Sequence, residues 1–317
     1  QNFSLQQQQH LQIPSSLHLY HLSSSPKTQF GPTYSISPIS SYDSCGSLTK
    51  SIAQLFNVRR LYKIEKLIGE GSFGAVLLAV QRSTNQQVAI KVIRKSQIRD
   101  MSMDAFVQRE IQILKRVKHD NIARFIDYID TQDYVCLVLE HAPIQSMGLN
   151  CIWNEHATVT EEQGKKYCLE LLSALEYLQD VHHIVHRDLQ LDNVCLSKDD
   201  HVKIIDFGCA DFYTPGVPSH NLYCGNSHYA APEMLLKQTY VGPETDVWTL
   251  GVLMFRILTG YTPFLNATKM MNREFRIDLN EEPLSLQCKQ FLNDILIVDP
   301  KKRPTLKQLK NHPWFSS

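Results

Sequence analysis

Polar and apolar positions alternate along Lys63-Ile64-Glu65-Lys66-Leu67-Ile68, the period of a half-buried strand. Gly69-Glu70-Gly71-Ser72-Phe73-Gly74 follows, and Ala75-Val76-Leu77-Leu78-Ala79-Val80 resumes an apolar run. Strand, glycine turn and strand predict a hairpin, whereas a dinucleotide-binding fold would require a helix after the last glycine. Val88-Ala89-Ile90-Lys91-Val92-Ile93 predicts a third strand, and Val135 to Leu139 a buried one. Between them, Val107, Ile111 and Leu114 recur at helical spacing over Asp104 to Val117, with Glu110 beside that face.

After residue 143 the period becomes helical. Thr160-Glu161-Glu162-Gln163 fits a capping box, and Tyr167, Leu171, Leu175 and Leu178 follow at helical spacing. Gly164 inside this helix is expected to cost up to ~1 kcal/mol relative to alanine. Asp246 to Leu258 is apolar nearly all round, which predicts a buried helix stopped by Gly260 and Pro263. The pattern is therefore α+β. A small β-rich lobe with one main helix spans 62–140, and a larger, mostly helical lobe spans 143–315. Residues 1–55 are rich in Gln, Ser and Pro, with a glutamine run from Gln6 to Gln9. They bury too little apolar surface to offset their ordering entropy and predict a disordered tail. Its hydroxyl residues are either regulatory phosphosites or part of a solvated leader.

Composition adds bounds. The 317 residues suffice for a two-lobed domain of roughly 250 residues with a sizeable core. Lys+Arg and Asp+Glu both number 32, so no net field advertises a nucleic-acid or membrane partner. Eight cysteines include no Cys-x-x-Cys pair, which argues against a zinc site or a disulfide framework. Several sit in apolar runs, as buried thiols of a reducing compartment do. A cytoplasmic location, with nuclear access open, is the expectation. The apolar stretch Val247–Phe255 is broken by Arg256 and is too short to span a bilayer.

The chemistry concentrates in two short segments. His186-Arg187-Asp188-Leu189-Gln190-Leu191-Asp192-Asn193 is followed by Asp206-Phe207-Gly208. An acid, an amide and a second acid on neighbouring loops suit phosphoryl transfer from a nucleotide: Asp188 for the incoming hydroxyl proton, Asn193 and Asp206 for magnesium. Taken alone, the same residues are two polar turns around a hairpin. The glycine loop alone is likewise explained by a tight hairpin, although glycines also let backbone N–H groups approach phosphates. Lys91, among apolar strand residues, requires an anionic partner, and Glu110 is the candidate. Arg303 is a candidate bidentate partner for Glu233 in Ala231-Pro232-Glu233. Asp246 is expected to accept backbone N–H groups around the 186–193 loop.

Together these motifs resemble the eukaryotic protein kinase family over about Tyr62 to Phe315, in the family's order and approximate spacing. The resemblance implies a bilobal fold with ATP and magnesium in the cleft. Asp188, Lys91, Glu110 and Gln190 become the catalytic set, and Asn193 and Asp206 the metal ligands. Nucleotide contacts are implied for Ile68, Gly69, Glu70, Gly71, Ser72, Phe73, Gly74, Val76, Ala89, Lys91 and Cys195. Leu139 becomes the gatekeeper, with hinge backbone at Glu140 and Ala142. Leu114, His186 and Phe207 join a regulatory spine. Tyr229-Ala230-Ala231-Pro232-Glu233 and Tyr240 to Trp248 are similar to the calmodulin-kinase group, especially relatives of AMP-activated protein kinase. His312-Pro313-Trp314-Phe315 agrees. Such kinases act on protein serine and threonine, and regulatory proteins or an upstream kinase are possible partners.

Four positions depart from the family pattern. Gln190 stands where serine/threonine kinases have Lys, Asn226 and Ser227 where Thr or Ser and then Pro are usual, and Leu222 at the usual activating phosphosite. Losing a charge-assisted contact of ~1.5–3 kcal/mol predicts a chemical step roughly ten- to a hundredfold slower, which Gln190→Lys should reverse. Asn226 is expected to offer its amide to Asp188. Arg187 suits a response to activation-loop phosphorylation, for which Thr214, Ser219 and Tyr223 remain; a loop ordered by its own packing is the other reading. Asp192 favours basic residues ahead of the target hydroxyl, and Arg256 disfavours them. An ATP-binding pseudokinase or scaffold and a small-molecule kinase are the alternative functions.

Overall fold

The alternating run and its glycine turn become a hairpin: β1 (Tyr62–Gly71) pairs antiparallel with β2 (Gly74–Gln81). The computed structural model describes residues 56–71, 74–100, 103–142 and 158–316. The expected disordered tail therefore lies outside the described residues, as do Ser72 and Phe73. β3 (Gln87–Arg94), β4 (Phe125–Asp130) and β5 (Tyr134–Glu140) complete an antiparallel sheet in the order β1-β2-β3-β5-β4. Described order begins before Tyr62, with α1 (Phe56–Leu61), whose Val58 packs with Tyr62, Ile90 and Val138 in a core beneath the sheet. Two helices of this lobe follow β3: the short α2 (Lys95–Asp100) and the main helix α3 (Asp104–Arg116), which turns Glu110, Ile111, Ile113 and Leu114 inward.

The second lobe opens on α4 (Glu161–Glu176). The Thr160 hydroxyl accepts from the Gln163 N–H at 3.2 Å, and Gln163 Oε1 accepts from the Thr160 N–H at 3.1 Å, so both halves of the capping box form. Gly164 has a packing reason. A Cβ there would meet Leu258 Cδ2 at 2.7 Å, so glycine lets α4 approach α6 (Pro243–Thr259) closely. Helix α6 is buried on every face, and Gly260 ends it in the left-handed region (φ 81°). Shorter helices α5 (Pro232–Leu235), α7 (Ala267–Met271), α8 (Leu286–Ile295) and α9 (Leu306–Lys310) fill out the lobe. One continuous core joins Leu114, Leu175, Phe207, Trp248 and Phe291.

Two small strand pairs position the chemistry. β6 (Ile184–Val185) pairs with β9 (Asp211–Phe212), and β7 (Val194–Leu196) pairs with β8 (Val202–Ile204). The 186–193 segment is therefore the loop from β6 to β7, and Asp206-Phe207-Gly208 the loop from β8 to β9. Nested pairing brings the two loops together. Among the described residues no helix is long and apolar enough to cross a membrane.

Candidate active site

The 186–193 loop is held from below. Asp246, at the start of α6, accepts the His186 N–H with both oxygens (3.1 and 3.0 Å) and the Arg187 N–H at 2.8 Å. Gln179 Nε2 adds a fourth contact at 3.1 Å. This matches the expected structural role of Asp246. Burial pushes its carboxyl up, and these donors oppose the shift. The anchoring supports Arg187 in the left-handed region (φ 65°), a conformation costing ~1–2 kcal/mol in a non-glycine residue.

Asp188 sits at the centre of a network. Gln190 Nε2 donates to both its oxygens (3.1 and 3.2 Å), and Asn193 Nδ2 donates to Oδ2 at 2.9 Å. The Asn226 backbone N–H, rather than the expected side-chain amide, reaches Oδ1 at 3.1 Å. The Asn226 amide instead donates to Gln190 Oε1 at 2.9 Å, and its oxygen accepts the His228 N–H at 3.0 Å. Thus Asn226 orients Gln190, which in turn points its amide at Asp188. Gly225 is required beside them: its φ is +89°, and a Cβ would lie 2.5 Å from Asp188 Oδ1. Burial, and next the charge of Asp206, raise the Asp188 carboxyl well above the usual carboxylate range; hydrogen bonds from Asn226 and Asn193 oppose this.

Lys91, Glu110 and Asp206 meet across the lobes. Lys91 Nζ lies 2.6 Å from Glu110 Oε1 and 3.1 Å from Asp206 Oδ1, which also accepts the Gly208 N–H at 2.8 Å. The Ile205 N–H donates to the Asn193 carbonyl at 3.0 Å, so Asn193 and Asp206 flank the same end of the β7–β8 hairpin. Among the described residues no group of three or more His, Cys, Asp or Glu is placed to hold a metal by itself. One carboxylate and one amide oxygen make a sparse hard-oxygen set. It fits a divalent cation that shares its shell with phosphate oxygens and water. The His186 and Phe207 rings meet edge-on at 5.1 Å, and Phe207 shares one core with Leu114.

Most of the remaining expected cleft positions fall on the small-lobe sheet. Val76 lies opposite Lys91, and Ala89 is flanked by Leu78 and Leu139. Ile68 is the extra residue of a bulge between Leu67 and Gly69; Gly69, Glu70 and Gly71 then pair with Val76, Ala75 and Gly74. Gly74 has no room for a side chain, since a Cβ would meet the Val92 carbonyl oxygen at 1.7 Å. Ile68, Val76, Ala89, Glu140 and Ala142 are partly exposed, and Cys195 is buried on β7. Arg303 binds Glu233 bidentately (2.8 and 3.1 Å), both fully enclosed, as the sequence suggests.

One cluster escaped the sequence reading. Asp211 Oδ2 lies 2.9 Å from Arg109 Nη1, 3.3 Å from Arg187 Nη2 and 3.6 Å from His220 Nδ1. Apart from Arg187, each residue alone is an ordinary polar or charged position, and only the β6–β9 pairing and the placement of α3 unite them.

Comparison with known proteins agrees with this geometry. The family described as "Protein kinase domain" matches residues 62–315. Among curated relatives, the rat serine/threonine-protein kinase SIK1 is 35% identical over 262 residues, covering 81% of this chain and 33% of the relative. The probable serine/threonine-protein kinase MARK-A of Dictyostelium discoideum is 36% identical over 263 residues, covering 81% and 24%. The SNF1-related protein kinase catalytic subunit alpha KIN12 of Arabidopsis thaliana is 33% identical over 278 residues, covering 86% and 55%. The chain thus spans a third or less of the length of the first two. From the hairpin at Tyr62 to Phe315, with paired loops, a buried lysine–glutamate bridge and relatives all named kinases, the chain belongs to the protein kinase family.

Proposed function

We propose that this chain is a magnesium-dependent protein serine/threonine kinase that moves the γ-phosphoryl group of ATP to protein hydroxyls. The observation carrying this reading is the junction of Asp188, Asn193 and Asp206 with the Lys91–Glu110 bridge. Asp188 orients the incoming hydroxyl and accepts its proton. Asn193 and Asp206 hold the cation, and Lys91, fixed by Glu110, holds the α and β phosphates. Bound magnesium-ATP supplies the electrophilic phosphoryl group and neutralises charge as it develops. Gln190 contributes a neutral hydrogen bond, so the chemical step is slower than a lysine would allow. Serine/threonine specificity is supported by the printed names of the relatives. The buried free thiols suit a reducing cytoplasmic setting, nuclear access included.

A second reading, an ATP-binding scaffold, is favoured by one observation: Gln190 brings no charge and already spends its amide on Asp188. Incubation with magnesium-ATP and generic peptides, beside an Asp188→Asn control, separates the two. Transfer that disappears in the control supports the enzyme. Thermal stabilisation by nucleotide without transfer supports the scaffold.

A further inference from the structure

Three separate elements converge on one oxygen of Asp211. Arg109 comes from α3, Arg187 from the catalytic loop and His220 from the activation segment, and all face Oδ2 (2.9, 3.3 and 3.6 Å). The other oxygen accepts the Phe212 N–H at 2.9 Å. The Arg187 side chain is 2% exposed, and a guanidinium that deep requires an anion. It also donates to the Cys209 carbonyl at 2.7 Å and approaches His220 Nδ1 at 3.5 Å. Burial and the Arg187 charge lower His220, and the Asp211 carboxylate opposes the shift.

The segment is stitched down beyond this point. His220 and Tyr240 exchange backbone hydrogen bonds (3.1 and 2.9 Å), and the Tyr240 hydroxyl donates to the Leu222 carbonyl at 2.9 Å. Leu222 itself is 58% exposed and has no hydroxyl to modify. Phosphorylation orders such segments by presenting an anion to an arginine cluster. Here the cluster already holds one.

We propose that the Asp211 carboxylate is a permanent anion standing in for a segment phosphate, a positioning residue that ties the catalytic loop, α3 and the activation segment together without modification. Its effect on rate rests on the kinase reading above; the clamp itself does not.

The test uses the full chain after a broad-specificity phosphatase, with dephosphorylation checked by intact mass. Hydrogen exchange over 209–229 is measured beside kcat and KM. Treated wild-type protein should keep its segment protection and stay within about twofold of the untreated rate. Asp211→Asn should raise segment exchange roughly tenfold or more while the β1–β5 sheet stays protected. It should also lower kcat by about tenfold with a smaller change in KM for ATP, and Asp211→Glu should restore most of both. Loss of protection on phosphatase treatment, or Asp211→Asn behaving as wild type, overturns the proposal. Should Asp211→Asn lose sheet protection and so fail to fold, the phosphatase arm and Asp211→Glu decide. A chain that transfers no phosphate yet keeps its clamp in the exchange arm counts against the kinase reading alone.

Discussion

Gln190 and Asn226 behave as a unit. Gln190 gives its amide nitrogen to Asp188 and takes the Asn226 amide on its oxygen. A lysine there has only donors, so it would face the Asn226 N–H group with nothing to accept it. The sequence suggested that Gln190→Lys alone would quicken the chemical step. The geometry changes that expectation: the gain of about ten- to a hundredfold should need Gln190→Lys together with Asn226→Thr. Single-turnover rates for both single variants and the double should show coupling of ~1 kcal/mol or more, and additive effects would contradict the pairing. The new ammonium should also stabilise the Asp188 carboxylate. The acid limb of the rate profile, displaced to higher pH because burial and the Asp206 charge raise Asp188, should then move back to lower pH in the double variant. Gly225→Ala tests the same spot. A methyl 2.5 Å from Asp188 Oδ1 at positive φ should lower kcat more than tenfold while melting changes by only a few degrees, as parallel kinetics and thermal denaturation would show.

At the scale of elements, the helix pair α4–α6 reverses a propensity argument. Helix propensity alone says that Gly164→Ala should stabilise by up to ~1 kcal/mol. The contact with Leu258 says it should destabilise by ~1–3 kcal/mol through overpacking, and urea denaturation reads the sign directly. Arg303→Ala should cost more, about 3–5 kcal/mol, because it strands a buried Glu233 carboxylate. What was legible follows strength of pattern. The capping box at Thr160, the all-apolar α6 and the alternating β1 announce themselves in sequence. β4 does not, because as an edge strand it is half exposed and its Phe125-Ile126-Asp127-Tyr128-Ile129-Asp130 run never alternates cleanly. α1 and α2, at six residues each, are too short for a period to show. The site divides similarly. Asp188, Asn193, Asp206, Lys91 and Glu110 stand in spaced motifs, whereas Asp211, Arg109 and His220 acquire meaning only through long-range pairing.

At the scale of the whole molecule, an ionic seam at the cleft joins the two lobes, beside the Arg109–Asp211 and Lys203–Glu140 pairs. Lys91 on the small sheet reaches Asp206 on the large lobe, and Glu110 on α3 fixes that lysine between them. Around it, the large lobe's core continues into α3 through Leu114 and Phe207, so the helix position and the 206–208 loop are mechanically linked. The direct test is a single-turnover experiment with γ-labelled ATP, magnesium and a serine-containing peptide, wild type beside Asp188→Asn. Label should reach the peptide serine in the wild type and fall by about 10²–10⁴-fold in the variant, with nucleotide still bound in both. Equal labelling by the two proteins, or bound magnesium-ATP with no transfer by either, would contradict the account.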